Sequence, residues 1–309
     1  MNQLKVFAPA TVANVAWGFD VLGLALDYPG DEALVTKTDK NDIVITACHN
    51  AENLPLTADK NVAGVAVKAL LNKLGSNQGF EIELTKGVKP GSGIGSSAAS
   101  SAASVVAVNE LMGNPFAKKE LVEFAMEGER CATGVAHADN VAPSICGGFT
   151  LVRSYEPLDI IKIESPKELW ATVIHPQLEV KTRDARRVLK GGIDLSKAIT
   201  QWGNVGGLIA GLYSEDYDLI GRSLVDVVIE PIRSILIPGY QKVKEATLQA
   251  GALGCSISGS GPSIFGLSKG EEIANQVKDV MAHVYTHYGV DFEIHVSQVN
   301  SQGAKIIES

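Results

Sequence analysis

Residues 89 to 101, KPGSGIGSSAASS, are the part of the sequence that says most about its fold. Gly91, Gly93 and Gly95 follow a predicted strand and precede a predicted alanine-rich helix. Glycines let backbone amides converge on an anion, and a helix N-terminus adds unpaired amides and roughly half a unit of positive charge. The pattern predicts a phosphate cradle, although a plain turn that caps a helix fits it equally well.

Three known glycine motifs can be compared with these letters. A P-loop requires a lysine after its second glycine, and none follows here. A nucleophile elbow beginning at Gly95 would need glycine in place of Ala99. The looser dinucleotide pattern GxGxxA does fit Gly93, Gly95 and Ala98, but no acidic residue closes a second strand about 20 residues later. The first two motifs are excluded and the third is retained only in a weak form.

Composition narrows the class of protein. With 309 residues, 45% of them hydrophobic, the chain can bury a large core. A net charge of −8 argues against an extended nucleic-acid surface. The four cysteines form no CxxC pair, and the first ten residues lack the apolar core of a secretory signal. We therefore expect a cytoplasmic protein that binds neither nucleic acid nor membrane.

Hydrophobic periodicity predicts strands and helices without a regular βαβ alternation, which favours the α+β class over a doubly wound sheet. Strands are predicted at 5–8, 21–26, 33–37, 43–47, 80–84, 149–153, 160–163, 171–174, 254–258, 263–267 and 291–296. Helices are predicted at 61–74, 96–112, 118–131, 184–189, 195–213, 240–250 and 271–288, and 137–148 is predicted to be a loop with some helix.

Two further segments accompany the glycine loop. Residues 9–26, PATVANVAWGFDVLGLAL, place Asn14 and Asp20 in a loop between strands, where an Asx turn or a helix cap would also explain them. Residues 254–266, GCSISGSGPSIFG, form a second glycine-serine turn. In order and spacing, these segments and residues 90–100 resemble the three signature motifs of the GHMP kinases, a superfamily that includes galactokinase and mevalonate kinase.

The resemblance implies a two-domain fold with an ATP site between the domains. The N-terminal domain, expected at 1–157, would be ribosomal-protein S5-like with a left-handed β-α-β unit, and the C-terminal domain, at 158–309, ferredoxin-like. Ser97 and Glu129 match the magnesium-binding positions, although Glu129 alone would suit an exposed ion-pairing face. The residues that match nucleotide-binding positions are Asn61, which would also suit a helix N-cap, and Pro90, Gly91, Ser92, Gly93, Ile94, Gly95, Ser96, Ser97 and Ala98.

Three shorter segments resemble the homoserine kinases within that superfamily: HADNVAP at 137–143, TRDAR at 182–186 and EPIR at 230–233. This resemblance implies phosphorylation of L-homoserine to O-phospho-L-homoserine in threonine biosynthesis, with ATP and Mg²⁺. Guanidinium groups suit the substrate carboxylate, and oxygen acceptors suit its ammonium. The implied substrate-binding residues are Asn14, Asp20, His137, Asn140, Arg186 and Arg233.

Asn140 and Arg186 are the implied catalytic residues, with Asn140 near the reacting hydroxyl and Arg186 favouring its ionisation. Asp139 matches the position of a base in other members, and it stays unassigned. We also expect a homodimer. Two alternatives remain open, namely a kinase for another small alcohol such as mevalonate and a non-catalytic binding protein that keeps the fold. Taken singly, each arginine would also suit an exposed surface position.

Overall fold

In the computed structural model of the chain, residues 2–178, 188–189 and 192–308 are described. The strands are β1 (Gln3–Ala13), β2 (Leu22–Thr38), β3 (Ile43–His49), β4 (Gly79–Thr85), β5 (Phe149–Tyr155), β6 (Leu158–Ile163), β7 (Leu169–Pro176), β8 (Gly254–Ile257), β9 (Ile264–Lys269), β10 (Phe292–Gln298) and β11 (Lys305–Glu308). The helices are α1 (Val62–Leu74), α2 (Ser96–Leu111), α3 (Leu121–Thr133), α4 (Val141–Cys146), α5 (Leu195–Ser214), α6 (Tyr217–Ser223), α7 (Glu230–Arg233), α8 (Tyr240–Gln249) and α9 (Glu271–Tyr288). Short 3₁₀ turns lie at Ala58–Lys60 and Ser234–Leu236.

The first sheet has seven strands. Its main order is β11-β1-β2-β4-β3, and β5 pairs with both β2 and β6. All of its pairs are antiparallel except β3 with β4, which run parallel because α1 connects them. Alternate residues of β2 and β4, such as Val35 and Phe80, are buried with Val67 of α1 and Val105 of α2. The sheet therefore carries a helical layer that contains α2.

The second sheet has four antiparallel strands in the order β10-β7-β9-β8. Val277 and Met281 of α9 and Val243 of α8 belong to a core with Ile174 and Ile264 of this sheet. A further core joins residues of both sheets, among them Leu24 and Phe149 of the first and Val173 and Phe265 of the second. Such segregation of helices and antiparallel strands confirms the predicted α+β class.

Several element boundaries differ from the predictions. The strands predicted at 21–26 and 33–37 are one long strand, β2, and α4 occupies the middle of the 137–148 segment. Short β11, α6 and α7 were not predicted. The helix predicted at 184–189 lies, except for its last two residues, outside the described residues. Strand β6 pairs with β5 in the first sheet, and a domain boundary near residue 157 is retained as a proposal.

Helix α2 is buried almost all round, since its first turns consist of serine and alanine. These small side chains let the neighbouring elements approach closely. Gly128 of α3 is one such contact: a Cβ there would stand 2.2 Å from Ser101 Oγ and 2.8 Å from Val62 O. The next residue, Glu129, is consequently brought beside the N-terminal turns of α2.

A buried ion pair supports the start of α2. Asp31 of β2 pairs with Lys86, and both side chains are almost completely buried. One Asp31 oxygen accepts hydrogen bonds from the amides of Gly87 (3.0 Å) and Val88 (3.1 Å), and the other accepts from Ser100 Oγ (2.7 Å). Lys86 Nζ also donates to Ser96 O and Ser100 Oγ, each at 2.8 Å. Burial lowers the pKa of Lys86, and the Asp31 carboxylate acts against that shift.

We predict that Asp31→Asn lowers the free energy of unfolding by about 3–5 kcal/mol, because it leaves the Lys86 ammonium buried without its counterion. Glu32→Gln is the matched control, since Glu32 pairs with Lys5 at a partly exposed position and should contribute less than about 1 kcal/mol. Urea unfolding of both variants measures the difference. Equal losses in the two variants would contradict a supporting role for the buried pair.

Candidate active site

One cleft of about 510 Å³ brings together segments that are far apart in the sequence. Of the predicted site residues, those that line it are Asn14, Asp20, Asn61, Pro90, Gly91, Gly93, Gly95, Ser96, Ser97, Glu129, His137, Asn140 and Arg233. Ser92, Ile94 and Ala98, which were also predicted to bind the nucleotide, are buried and do not line the cleft. Arg186 lies outside the described residues. Asp139 and Lys86, neither of which was assigned a role, also line the cleft.

The glycine loop is fixed through its carbonyl groups. Ser258 Oγ donates to Gly93 O (2.8 Å), Ser263 Oγ donates to Ser92 O (2.6 Å), and the amide of Thr11 donates to Ile94 O (3.1 Å). Helix α2 begins directly after the loop, and the first amides of a helix have no partner within it. Fixed carbonyls beside a helix N-terminus are suited to binding an anion, so the predicted phosphate cradle is compatible with this geometry.

At Gly93 and Gly95 of this loop, any other residue would be strained and would clash with its neighbours. Gly95 has φ +73°, and a Cβ there would stand 2.1 Å from Thr11 Oγ1 and 3.0 Å from Asn140 Oδ1. Gly93 has φ +81°, and a Cβ there would stand 2.7 Å from Gly261 O. The backbone of the loop therefore contacts both the N-terminal strand and the C-terminal turn, and any larger residue would separate them.

Asn14 links the loop between β1 and β2 to the C-terminal glycine-serine turn. Its Nδ2 donates to Gly259 O at 2.7 Å, and its Oδ1 accepts from the amide of Asp20 at 3.1 Å. Asn14, Val15 and Ala16 all have positive φ, as does Asp20. Such conformations are unfavourable for residues other than glycine, so the surrounding contacts must hold this loop in place.

Arg233 is buried, with 3% of its surface exposed, although it lines the cleft. Its guanidinium lies 4.7 Å from the centre of the Phe19 ring, and Nη1 donates to Gly259 O at 3.2 Å. The helix that carries it, α7, is anchored at its start, where Asp226 accepts amide hydrogen bonds of 2.8–3.0 Å from three successive residues, Val228, Ile229 and Glu230. A held guanidinium of this kind suits recognition of a carboxylate.

Residues 137–140 form the opposite wall. Asn140 Oδ1 accepts a hydrogen bond of 2.7 Å from Thr11 Oγ1, and His137 Nδ1 lies 3.8 Å from Asp20 Oδ1. Asp139 is buried. The predicted residues Asn14, Asp20, His137, Asn140 and Arg233 thus share one end of the cleft.

Asn61 lies at the other end and caps α1. Its Oδ1 accepts from the amide of Ala63 at 3.0 Å, and its Nδ2 donates to Pro55 O at 2.7 Å. Both a capping role and a place at the cleft were expected of this residue, and it has both. Its neighbours in the cleft are mainly apolar, including Leu54, Pro55 and Val62. That environment suits a flat, weakly polar ring.

Glu129 is 5% exposed, so the exposed ion-pairing face considered from the sequence belongs instead to Glu127 and Arg130. Burial raises the pKa of the Glu129 carboxyl, while the Ser97 side chain and the Lys86 ammonium act against that shift. Its Oε1 atom is buried without a hydrogen-bond partner. A buried carboxylate oxygen with no donor beside it is suited to binding a cation.

Sequence reasoning did not find all the residues that build the site. Thr11, Phe19 and Gly259 each contact an assigned residue, and Lys86 supports the loop from below. Thr11 is an uncharged residue within a strand, and Gly259 acts through its carbonyl oxygen. Neither has a distinguishing sequence pattern. Thr11, Phe19 and Gly259 lay inside segments that the sequence analysis had singled out, whereas Lys86 did not.

Comparison with known proteins is consistent with this geometry. The family model of the GHMP kinases N terminal domain matches residues 61–148, and the model described as GHMP kinases C terminal matches residues 208–287. A homoserine kinase from Chlorobaculum tepidum is 49% identical, with 100% of this chain and 99% of that protein covered. The GHMP kinase fold predicted from the three motifs is confirmed.

Two solved structures have the same fold as this chain. The crystal structure of homoserine kinase from Cytophaga hutchinsonii has 54% sequence identity and a TM-score of 0.96, covering 99% of this chain and 98% of that chain. L. major mevalonate kinase in complex with R-mevalonate has a TM-score of 0.72 at 14% identity, with 96% of both chains covered. The second likeness shows the fold alone, and it carries no information about which alcohol this chain accepts.

We predict that Glu129→Gln changes the pH dependence of stability. Because burial raises the folded-state pKa above its ordinary value of 4.5, the ionised carboxylate opposes folding, and this opposition grows as the pH rises above 4.5. The free energy of unfolding of the variant, relative to the unaltered protein, should therefore increase between pH 4.5 and pH 8. Glu127→Gln, at the exposed pair two residues away, is the matched control. A flat or falling difference for Glu129→Gln would contradict the raised pKa.

Proposed function

The chain belongs to the homoserine kinases of the GHMP kinase superfamily, and from this premise we propose that its cleft transfers the γ-phosphoryl group of ATP to the side-chain hydroxyl of L-homoserine. The product is O-phospho-L-homoserine, an intermediate toward threonine. The observation that carries the proposal is the cleft itself, which joins the phosphate cradle to a buried arginine and an aspartate. An amino acid with a hydroxyl side chain needs this pair of opposite charges.

ATP would lie along the cleft from Asn61 to the glycine loop. The adenine would occupy the apolar end beside Asn61, and the phosphates would bind backbone amides between Pro90 and Ala98. No lysine of P-loop type is needed, because converging amides and the N-terminus of α2 supply the positive potential.

Ser97 and Glu129 are the residues that would hold Mg²⁺. Both line the cleft where α2 begins, and the unpartnered Oε1 of Glu129 fits a hard cation that prefers oxygen ligands. When bound, the ion would neutralise charge on the transferred phosphoryl group. Binding of the cation would also remove the opposition to folding that the ionised Glu129 side chain creates.

At the acceptor end, Arg233 would bind the substrate carboxylate, and Asp20 would bind the ammonium with help from Asn14. His137 and Asn140 line the same pocket, and Asn140 would lie near the reacting hydroxyl. We retain Arg186 as the second guanidinium group and as the residue that favours ionisation of the hydroxyl. Asp139, which is buried in this wall, is a further candidate to accept the proton.

The proposal predicts ADP formation with L-homoserine, measured in a coupled assay against a panel that contains mevalonate and 4-hydroxybutyrate. Mevalonate, like 4-hydroxybutyrate, lacks the amino group, so both should be poor acceptors. A preference for either would contradict the role of Asp20. Nucleotide binding without ADP release from any acceptor would favour a non-catalytic protein.

Arg233→Ala should lower kcat/KM for L-homoserine at least 100-fold and leave the KM for ATP within about twofold, because a charge-assisted bidentate contact is lost only at the acceptor end. Arg233→Lys should retain part of the activity, since it keeps the charge but not the fork. Arg222→Ala, at an exposed position of α6, is the control. Circular dichroism verifies that each variant is folded. Normal turnover of Arg233→Ala would remove the carboxylate assignment.

We also propose that the protein is a homodimer that associates through α5. Leu195, Ile199, Trp202 and Tyr213 lie on one face of this helix and are 66%, 57%, 64% and 66% exposed. With about 150–250 Å² for each full aromatic side chain, the four expose on the order of 400 Å². A standard interface buries about 800 Å² per partner, somewhat over half of it apolar, so this face supplies most of the apolar area that a dimer needs.

Light scattering coupled to gel filtration should give twice the chain mass for the unaltered protein and the monomer mass for Trp202→Glu, because the charge would be buried in the apolar contact. Tyr28→Glu, at a residue of β2 that is 64% exposed, should leave the dimer intact. A monomer at micromolar concentration for the unaltered protein would refute this interface.

We propose a cytoplasmic location as well. All four cysteines, Cys48, Cys131, Cys146 and Cys255, are free thiols, which is the usual state in a reducing compartment. Among the described residues, none of the helices combines the length and apolar character needed to cross a bilayer.

A further inference from the structure

We propose that Tyr155 is a positioning residue for the acceptor end of the cleft. Its phenol oxygen donates a hydrogen bond to Asp20 O at 2.7 Å and accepts one from the amide of Ala138 at 3.3 Å. One hydroxyl group therefore connects the backbones of two segments that are more than 110 residues apart. The inference rests on the proposed acceptor site, since it concerns how that site is held in shape.

The first of these segments is the loop between β1 and β2. Asp20 has φ +61°, a conformation that costs a non-glycine residue about 1 kcal/mol or more. Its amide is held by Asn14 Oδ1 and its carbonyl by Tyr155, so hydrogen bonds fix the residue on both sides. This backbone conformation aims the Asp20 carboxylate at the cleft.

The second segment carries His137 and Asn140. Tyr155 bonds to the amide of Ala138, the residue after His137. The side-chain contact between the two segments is long, with 3.8 Å between His137 Nδ1 and Asp20 Oδ1. A hydrogen bond weakens well before that distance. The phenol of Tyr155 therefore connects residues 20 and 138 more closely than the side-chain contact between Asp20 and His137 does.

The position of Tyr155 is well defined because it is the last residue of strand β5. Strand β5 pairs with β2 at Leu22↔Leu151, and the amide of Val152 donates to Val21 O at 2.7 Å. The strand therefore holds the residue that follows Asp20, and its last side chain reaches Asp20 itself. Positioning groups on regular elements are more exact than those on loops.

We expect the substitution Tyr155→Phe to weaken the binding of L-homoserine and to leave the binding of ATP unchanged. Tyr155→Phe keeps the ring and removes the oxygen atom alone, so the acceptor loops should lose their common anchor while the glycine loop is unchanged. We expect the KM for L-homoserine to rise about 5–20-fold, as the loss of a hydrogen bond of ordinary strength would give, with the KM for ATP within twofold. A merely structural role would alter both constants or only the melting temperature.

The test combines these kinetics with amide hydrogen exchange in Tyr155→Phe, the control Tyr28→Phe and the unaltered protein. Exchange should become faster at the peptides that contain residues 14–21 and 134–140 only in Tyr155→Phe.

If the unaltered protein phosphorylates a different alcohol in the acceptor panel, that alcohol replaces L-homoserine in the kinetic test. If it phosphorylates none, hydrogen exchange alone decides. Unchanged exchange at these peptides, or equal changes in both KM values, would overturn the proposal. Failure of the proposed function is distinguished by the unaltered protein, which would then give no ADP with L-homoserine.

Discussion

The pairing of Asp31 with Lys86 is the contact on which the arrangement of the cleft depends. It connects the middle of β2, the turn after β4 and the first turns of α2 through one set of buried hydrogen bonds. The ammonium group has three donors, and three acceptors surround it, namely Asp31, Ser96 O and Ser100 Oγ. A buried charge is tolerated only when it is satisfied in this way. Because the two charges compensate each other and are joined by several hydrogen bonds, the floor beneath the glycine loop carries little net charge.

Above this floor, the glycine loop uses its carbonyl groups for contacts within the protein. The carbonyl groups of the glycine loop are turned outward, to Thr11 on one side and to Ser258 and Ser263 on the other. Gly259 O accepts from both Asn14 and Arg233, so the same C-terminal turn also orients the acceptor end. The three signature segments are therefore coupled mechanically, and each one is incomplete without the other two.

The sequence predicted those features that depend on local pattern. Helices α1, α5 and α9 were placed to within a residue or so, because their apolar periodicity is regular. Gly75 and Gly289 follow α1 and α9, and Asp194 caps the start of α5. The single strand β2 was divided in two, since the turn-forming residues from Asp27 to Gly30 interrupt the apolar alternation. In the structure, β2 pairs with β1 on both sides of a register shift at this point. Short β11 and α7 carry too few residues for a period, and their existence depends on tertiary contacts.

Some residues of the candidate site could likewise be predicted from a local sequence pattern, and others could not. The glycine loop could be derived from the physics of anion binding, whereas His137, Asn140 and Arg233 were identified by resemblance, since isolated polar residues have no local signature. Glu127 and Glu129 look alike in sequence, yet one is exposed and the other is buried, because Gly128 lets only one side of α3 approach α2. Burial of a charge depends on contacts between distant elements, and a local pattern does not contain them.

The contacts of Asn14, Asp20 and Arg233 within the protein suggest a different role for each residue at the proposed acceptor end. Asn14 donates to Gly259 O and accepts from the amide of Asp20 within the protein, so in the proposed function most of the attraction for the substrate ammonium would come from the carboxylate of Asp20. Arg233 is stacked on Phe19 and bonded to Gly259 O, and these contacts fix the plane of its guanidinium group at the cleft. Asp20 has a strained backbone conformation, and Arg233 has lost its hydration by burial. The contacts that fix the two residues therefore offset these costs before any ligand binds, and in the proposed function a substrate that carries both charges would not have to provide that energy.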